Sequence, residues 1–307
     1  HTEQDLEALR EAVRASLEAL GEGGFLPRGE PAQPPRPQVA RAAVLSIPQP
    51  RPSALLRLLC LPYAGAGTSS YRQWGEALPE EVELGLVQLP GRDGRSGEPA
   101  YRDFDSLVEL LVHELLPHLD RPFAFFGHSM GALLAFELSR RLQARGLRSE
   151  LLLVSGEPAP HLPRPQAAAH ELDDAALARA LVRYGLSEEL TRQPEFIQGS
   201  LPLLRADLAV CDSYRYQPGE PVDCDLVALG GREDPLASRS ELSAWAEHTA
   251  SDFSQRMFAG NHFFLHGARR SFLLALRREL VECVERLRLV PPEEAAHAER
   301  RRQGAES

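Results

Sequence analysis

The sequence predicts an α/β protein, a mostly parallel sheet with helices on both faces and a helical lid inserted between two strands. Three observations lead there. Apolar runs of strand length fall at 55–61, 84–89, 123–127, 151–155 and 225–230, with a shorter one at 255–258. Helical periodicities separate them, at 69–78, 105–119, 130–145, 241–249 and 268–289. Near-continuous apolar strands alternating with amphipathic helices describe a parallel sheet covered on both sides. The interval 160–215 breaks the alternation, with helical signals at 173–184 and 195–204 but no strand. It reads as the lid.

Before this body, residues 3–20 carry Leu6, Leu9, Val13, Leu17 and Leu20 on one helical face, and Gly21, Gly23 and Gly24 end the pattern. A proline-dense stretch over 27–52 follows and reads as an extended linker. The expected organisation is therefore a helix and linker over 1–52, the α/β domain over 53–290 and a charged tail over 291–307. The opening His1-Thr2-Glu3-Gln4 has neither a starting Met nor a signal, as expected of a piece cut from something longer.

Composition narrows the chemistry. The 307 residues include 34 Lys+Arg against 44 Asp+Glu, a net charge of −10, and all 34 basic residues are Arg. No lysine means no lysine nucleophile or Schiff base, and the acidic balance excludes general nucleic-acid binding. Cys60, Cys211, Cys224 and Cys283 are widely spaced without a CxxC pair, so reduced thiols in a cytoplasmic protein are expected rather than a metal site. No apolar run approaches a membrane span.

The most informative segment is Phe123-Ala124-Phe125-Phe126-Gly127-His128-Ser129-Met130-Gly131. An apolar strand, a G-x-S-x-G turn and a helix rich in small residues put a serine hydroxyl on a sharp elbow. The helix N-terminus beyond it offers free N–H groups to a developing oxyanion. Ser129 is the candidate nucleophile. A base should follow on a loop leaving a strand end, and His262, after Gly260-Asn261, satisfies that better than His266. The acid should precede it at another strand end. Asp234, in Gly231-Arg232-Glu233-Asp234-Pro235, is the candidate, with Glu233 and Glu157 as competitors. The loop Leu61-Pro62-Tyr63-Ala64-Gly65-Ala66-Gly67 is small enough for close backbone approach to a substrate, and it lacks the residues of a phosphate-binding loop.

Taken together, L-P-Y-A-G-A-G, V-Q-L-P-G-R-D (87–93), F-G-H-S-M-G-A-L-L-A-F-E-L (126–138), L-R-A-D-L-A-V-C-D-S-Y (204–214), A-L-G-G-R-E-D-P (228–235) and G-N-H-F-F-L (260–265) resemble the type II thioesterases of polyketide and nonribosomal peptide synthesis. The resemblance spans about 55–285. It implies an α/β-hydrolase fold and hydrolysis of acyl groups from the phosphopantetheine arms of acyl- or peptidyl-carrier proteins, without metal or cofactor. It also implies Ser129 as nucleophile, His262 as base, Asp234 as acid, and the backbone N–H groups of Ala64 and Met130 as the oxyanion hole. Asn261 and Ala66 stand where the family usually has Gly. Met130 fits the editing type. Gly156-Glu157 stands where terminal release domains, some of which cyclise their product, often place the acid. A carboxylesterase acting on small soluble esters is the alternative reading of the same residues. Leu177, Leu181, Phe196, Leu201 and Leu204 of the lid are expected to cover an acyl pocket. Two Arg clusters could meet an acidic carrier, Arg140, Arg141, Arg145 and Arg148, or Arg269 and Arg270.

Overall fold

The computed structural model describes residues 43–163, 169–184, 188–193 and 196–289. The readings made for the first 42 residues and for the charged tail lie outside them. A seven-stranded sheet runs through the molecule in the order β1-β3-β2-β4-β5-β6-β7. The strands are β1 (Leu45–Ser46), β2 (Leu56–Leu61), β3 (Val82–Val87), β4 (Phe123–His128), β5 (Leu151–Ser155), β6 (Asp225–Gly231) and β7 (Phe253–Phe258). All pairs are parallel except β1 with β3. The strand order reverses direction between β2 and β4. The crevice beyond the carboxyl ends of those two strands is where such sheets bind ligands.

The alternation along each strand sorts the core into two layers. Phe123 and Phe125 of β4 face the layer containing α1 (Phe104–Leu115) and α2 (Met130–Gln143), while Ala124 and Phe126 face the other. That second layer is filled by Tyr71, Trp74 and the buried stripe Phe272, Leu276, Leu280 and Val284 of α8 (Arg269–Leu289). The lid between β5 and β6 holds α3 (Asp174–Tyr184), α4 (Glu188–Thr191) and α5 (Leu201–Ser213). After β6 come the short helices α6 (Arg239–Ser243) and α7 (Phe264–Gly267), the latter leading into α8. Among the described residues no helix is long and apolar enough to cross a membrane.

Several elements differ from the sequence expectation, each for a local reason. Residues 43–52, read as linker, contribute the edge strand β1, with Val44 and Leu45 buried against β3. β3 begins at Val82 rather than at 84. Glu83, too polar to read as strand, is buried in an ion pair with Arg57 of β2 at 2.7 Å. The helix expected over 69–78 is instead two 3₁₀ turns, Thr68–Ser70 and Arg72–Glu76. Pro79 has no N–H to give Gly75 O, so an α-helix cannot continue there, and Arg51 takes the carbonyls of Gly75, Pro79 and Val82 at 2.7, 2.5 and 2.8 Å. In the lid, the last helix starts at Leu201 after a π-turn over Phe196–Ser200, later than the 195–204 pattern suggested. Cys60, Cys224 and Cys283 are buried free thiols, and burial pushes Cys224 and Cys283 up to about 12.

Two buried histidines link the core to pH. Burial, and then His161 and Arg140, push His248 down to about 4. Burial, and then His262 and His266, hold His128 well below the ordinary 6.5. Unfolding releases both to ordinary values, so below about pH 6.5 the unfolded chain binds more protons and stability falls. Between pH 7 and pH 5, His248 alone should remove about 2 kcal/mol, at about 1.4 kcal/mol per pH unit. Urea midpoints at the two pH values measure this. His248→Gln should flatten the dependence, and an undiminished slope would count against the buried neutral imidazole.

Candidate active site

Ser129 sits at φ 52° and ψ −121°, between β4 and α2. A non-glycine residue rarely adopts positive φ, and the neighbouring glycines make it necessary here. A Cβ at Gly127 would lie 1.9 Å from Gly131 O, and one at Gly131 would lie 2.4 Å from Leu61 O. Strand, helix and the end of β2 are therefore in backbone contact at this point. Ser129 N–H donates to Ser155 O at 2.7 Å, and the serine side chain makes no capping bond to the helix it precedes. Its hydroxyl is left for other use.

His262 Nδ1–H donates to Asp234 Oδ2 at 2.9 Å, and both side chains are almost wholly buried. Asp234 Oδ1 accepts the Leu236 N–H at 2.8 Å, which orients the carboxylate. With Nδ1 committed to the acid, the opposite nitrogen, Nε2, is the one available to act as a base. The His262 ring lies 4.8 Å from that of His128, the residue preceding Ser129, and edges over Gly156. A Cβ at Gly156, whose φ is +60°, would meet His128 Cε1 at 2.5 Å and His262 Cε1 at 3.3 Å. No side chain fits directly after β5.

The rival residues lie elsewhere. His266 bonds Tyr63 Oη at 3.1 Å, and burial followed by the Arg269 guanidinium lowers its pKa. His170 pairs with Asp212 at 2.7 Å within the lid, and His161 with His248 at 2.6 Å. His297 lies outside the described residues. Glu233 is exposed, and the Glu157 carbonyl accepts the Trp245 indole N–H at 2.7 Å.

Beyond β2 the chain turns back, with Ala66 N–H donating to Tyr63 O at 2.9 Å and Gly65 at φ +77°. This is a type II turn, whose third residue needs glycine. Four of the five lid residues named above, Leu177, Leu181, Leu201 and Leu204, form one buried cluster that packs on Ala64. The side chain of Phe196 is outside the description.

A family model described as a thioesterase domain matches residues 56–279. The chain belongs to the thioesterase domain family. It is 42% identical over 241 residues to the linear gramicidin dehydrogenase LgrE of Brevibacillus parabrevis, covering 77% of this chain and 92% of that one. It is 38% identical to the RedJ thioesterase of the prodiginine pathway in Streptomyces coelicolor, covering 83% and 91%, with a TM-score of 0.71. It is 37% identical to the type II thioesterase BorB of the borrelidin cluster, covering 77% and 97%, again with a TM-score of 0.71. The thioesterase is thus a hydrolytic enzyme of the α/β-hydrolase fold.

The departures from the family pattern are absorbed locally. Asn261 is not at positive φ, and its Oδ1 accepts the Phe263 N–H at 2.9 Å in the turn before α7. Ala66 is buried, likewise without positive φ. The small residues 65 and 67 are needed for the loop's own support. Gly67 faces the Asp93 carboxylate, 2.6 Å from a hypothetical Cβ, and Gly65 faces Leu204. Sequence reasoning missed Arg92, Asp93 and Asp207, which bond this loop. Their only signal was membership of motifs with no assigned role.

The elbow predicts an asymmetry among glycines. In the thioesterase, Gly131→Ala should cost roughly 1–3 kcal/mol, because its Cβ meets backbone. Gly97→Ala, with nothing within 4 Å, should stay within about 0.5 kcal/mol. Denaturant midpoints of the two variants measure the difference.

Proposed function

We propose that this thioesterase removes acyl groups from the phosphopantetheine arms of acyl- or peptidyl-carrier proteins in a polyketide or nonribosomal peptide assembly line. Its role there is editing or product release. Ser129 Oγ attacks the thioester carbonyl as His262 Nε2 takes its proton. The C–S bond then breaks, the proton passes to the departing thiolate, and the acyl group remains on Ser129. Water, deprotonated by the same imidazole, attacks the ester and releases the acid and free serine. Asp234 holds the imidazole with Nδ1 protonated and stabilises its cation. The N–H groups of Ala64 and Met130 receive the oxyanion in both halves.

The buried His262–Asp234 bond, one ring away from the strained Ser129 turn, carries this reading. The Leu177, Leu181, Leu201 and Leu204 cluster on Ala64 supports an apolar acyl chain beside the scissile carbonyl. The dehydrogenase name of one relative brings no hydride chemistry with it. A dinucleotide would need free N–H groups in the first βα loop, and Gly65 N–H is bonded to Asp207 at 2.7 Å.

For the carrier, the helix α2 cluster is a poor candidate. Arg140 lies about 16 Å along the helix from Ser129, at 1.5 Å per residue. It pairs with Glu137, Arg141 with Asp105 and Glu109, Arg145 with Glu109, and Arg148 with Asp223 and Glu150. A cleft of about 570 Å³ at that end, lined by Glu137, Arg140, Arg141, Tyr214 and Arg215, is equally remote. Arg269 and Arg270 are exposed directly after the His262 loop, without an acidic partner among the described residues. Arg269 donates to Gln73 at 2.8 Å instead. They suit an acidic carrier surface.

Two measurements test the proposal. Ser129→Ala should lower kcat on an acyl-pantetheine thioester by roughly 10³-fold or more with folding retained, and Asp234→Asn should also impair it strongly. Glu157→Gln and Glu233→Gln should act weakly; a crippling Glu157→Gln would move the acid to the earlier strand. Separately, turnover of carrier-bound acyl groups should fall with salt more steeply than turnover of a small acyl-pantetheine, because exposed charges are screened over about 8–10 Å. Equal salt dependence would favour the small-ester reading.

A further inference from the structure

Two of the six motifs, 87–93 and 204–214, supply no group to the proposed reaction, yet their charged residues meet in the interior. Arg92 and Asp207 are 6% and 2% exposed. They form a bidentate pair, Nη1 to Oδ2 at 2.7 Å and Nη2 to Oδ1 at 2.5 Å. Both also hold the loop after β2. Asp207 Oδ2 accepts the Gly65 N–H at 2.7 Å, and Arg92 Nη1 donates to Ala66 O at 2.9 Å. The next residue, Asp93, accepts the Thr68 N–H at 2.8 Å.

One of the peptides gripped in this way lies inside the turn that carries Ala64, and the other directly follows it. Gly65 N–H belongs to the central peptide of the type II turn, which flips readily toward type I because glycine tolerates either sign of φ. An acceptor on that N–H selects one orientation. The acceptor stands on α5, the last helix of the lid, and Leu204, one turn earlier on the same face, would be 3.2 Å from a Cβ at Gly65. Stability alone would not call for ions here, since apolar residues of similar volume often replace a buried pair without loss. What they could not replace is the carboxylate oxygen on the loop.

We propose that Arg92 and Asp207 are positioning residues. Their pair locks the loop that presents the Ala64 N–H and ties that donor to the seating of the last lid helix. This rests on the proposed reaction, in which Ser129 attacks the carbonyl beside the Ala64 N–H, and the test separates the two.

The test compares the full-length chain with Asp207→Asn and with the double variant Arg92→Met/Asp207→Leu, which removes both charges but keeps the volume. The first readout is kcat and KM on an acyl-pantetheine thioester. The second is affinity for an acyl trifluoromethyl ketone, in which Ser129 Oγ bonds the carbonyl carbon, the π pair moves to oxygen, and the serine proton passes to His262. The third is affinity for an unreactive thioether carrying the same acyl group. Both variants should fold, lose about 10²-fold in kcat, and lose ketone affinity in step. KM and thioether affinity should stay within about twofold. Wild-type-like kcat in the double variant, an equal loss of thioether affinity, unchanged ketone affinity, or failure of both variants to fold would overturn the positioning role. Failure of the parent reading appears differently: wild-type protein would then bind the ketone no more tightly than Ser129→Ala does.

Discussion

Backbone against backbone at Gly127 and Gly131 is the constraint on which the rest of this site depends. With hydrogen in place of Cβ at both positions, the end of β4, the first turn of α2 and the carbonyl of Leu61 come within contact of one another. Ser129 is then left no ordinary conformation and stands at positive φ, with its hydroxyl uncommitted to the helix. The same compression brings the loop after β2 beside the N-terminus of α2. The N–H groups of Ala64 and Met130, the proposed oxyanion donors, belong to these two elements. Strain of this kind, of order 1–3 kcal/mol, persists only where surrounding packing over-determines it. Here the surroundings are the fully buried strands β2 and β4.

A second consequence concerns where the acid stands. The space beside Gly156, directly after β5, is filled by two imidazoles, those of His128 and His262. His128 bonds Ser155 Oγ at 2.9 Å and, held neutral by burial, adds no positive charge beside His262, the proposed base. A carboxylate at 156 would need the volume these rings occupy. The acid we propose stands instead after the next strand, β6, where Asp234 bonds His262. Gly231 at that end allows the carbonyls of Gly260 and Asn261 to pass close by, 2.5 and 2.3 Å from a hypothetical Cβ, which brings the His262 loop into register.

The nucleophile, base and acid candidates were legible because each sits where a strand pattern ends and a turn pattern begins, a signal local in sequence. Strand identity was legible for the same reason wherever both faces are apolar. Legibility failed where a distant partner changes a residue's character. Glu83 reads as a surface acid until Arg57 neutralises it inside the sheet. Arg51 reads as part of a linker until it captures the carbonyls of Gly75, Pro79 and Val82. Arg141, Arg145 and Arg148 read as a basic patch because Asp105, Glu109 and Asp223, which pair with them, are distant in sequence. Arg92 and Asp207 are the extreme case, two ions more than a hundred residues apart whose meaning lies only in their meeting.

The sheet and the lid thus contribute differently to one centre. Ser129, His262 and Asp234 stand on strand ends whose positions follow from the close-packed sheet. The loop carrying Ala64 instead rests partly on the lid, through Asp207 and through the leucines that pack on Ala64 itself. An acyl chain lying against those leucines would touch the same helix that holds the oxyanion loop. Binding energy from a part of the substrate remote from the thioester could then be expressed as alignment of a donor that matters most in the transition state. Such coupling lets an enzyme convert chain recognition into rate rather than into tighter ground-state binding. A hydrolase that must act on stalled or finished chains while ignoring others needs that kind of discrimination, and a lid joined by a buried ion pair to the loop proposed to carry an oxyanion donor is a direct physical route to it.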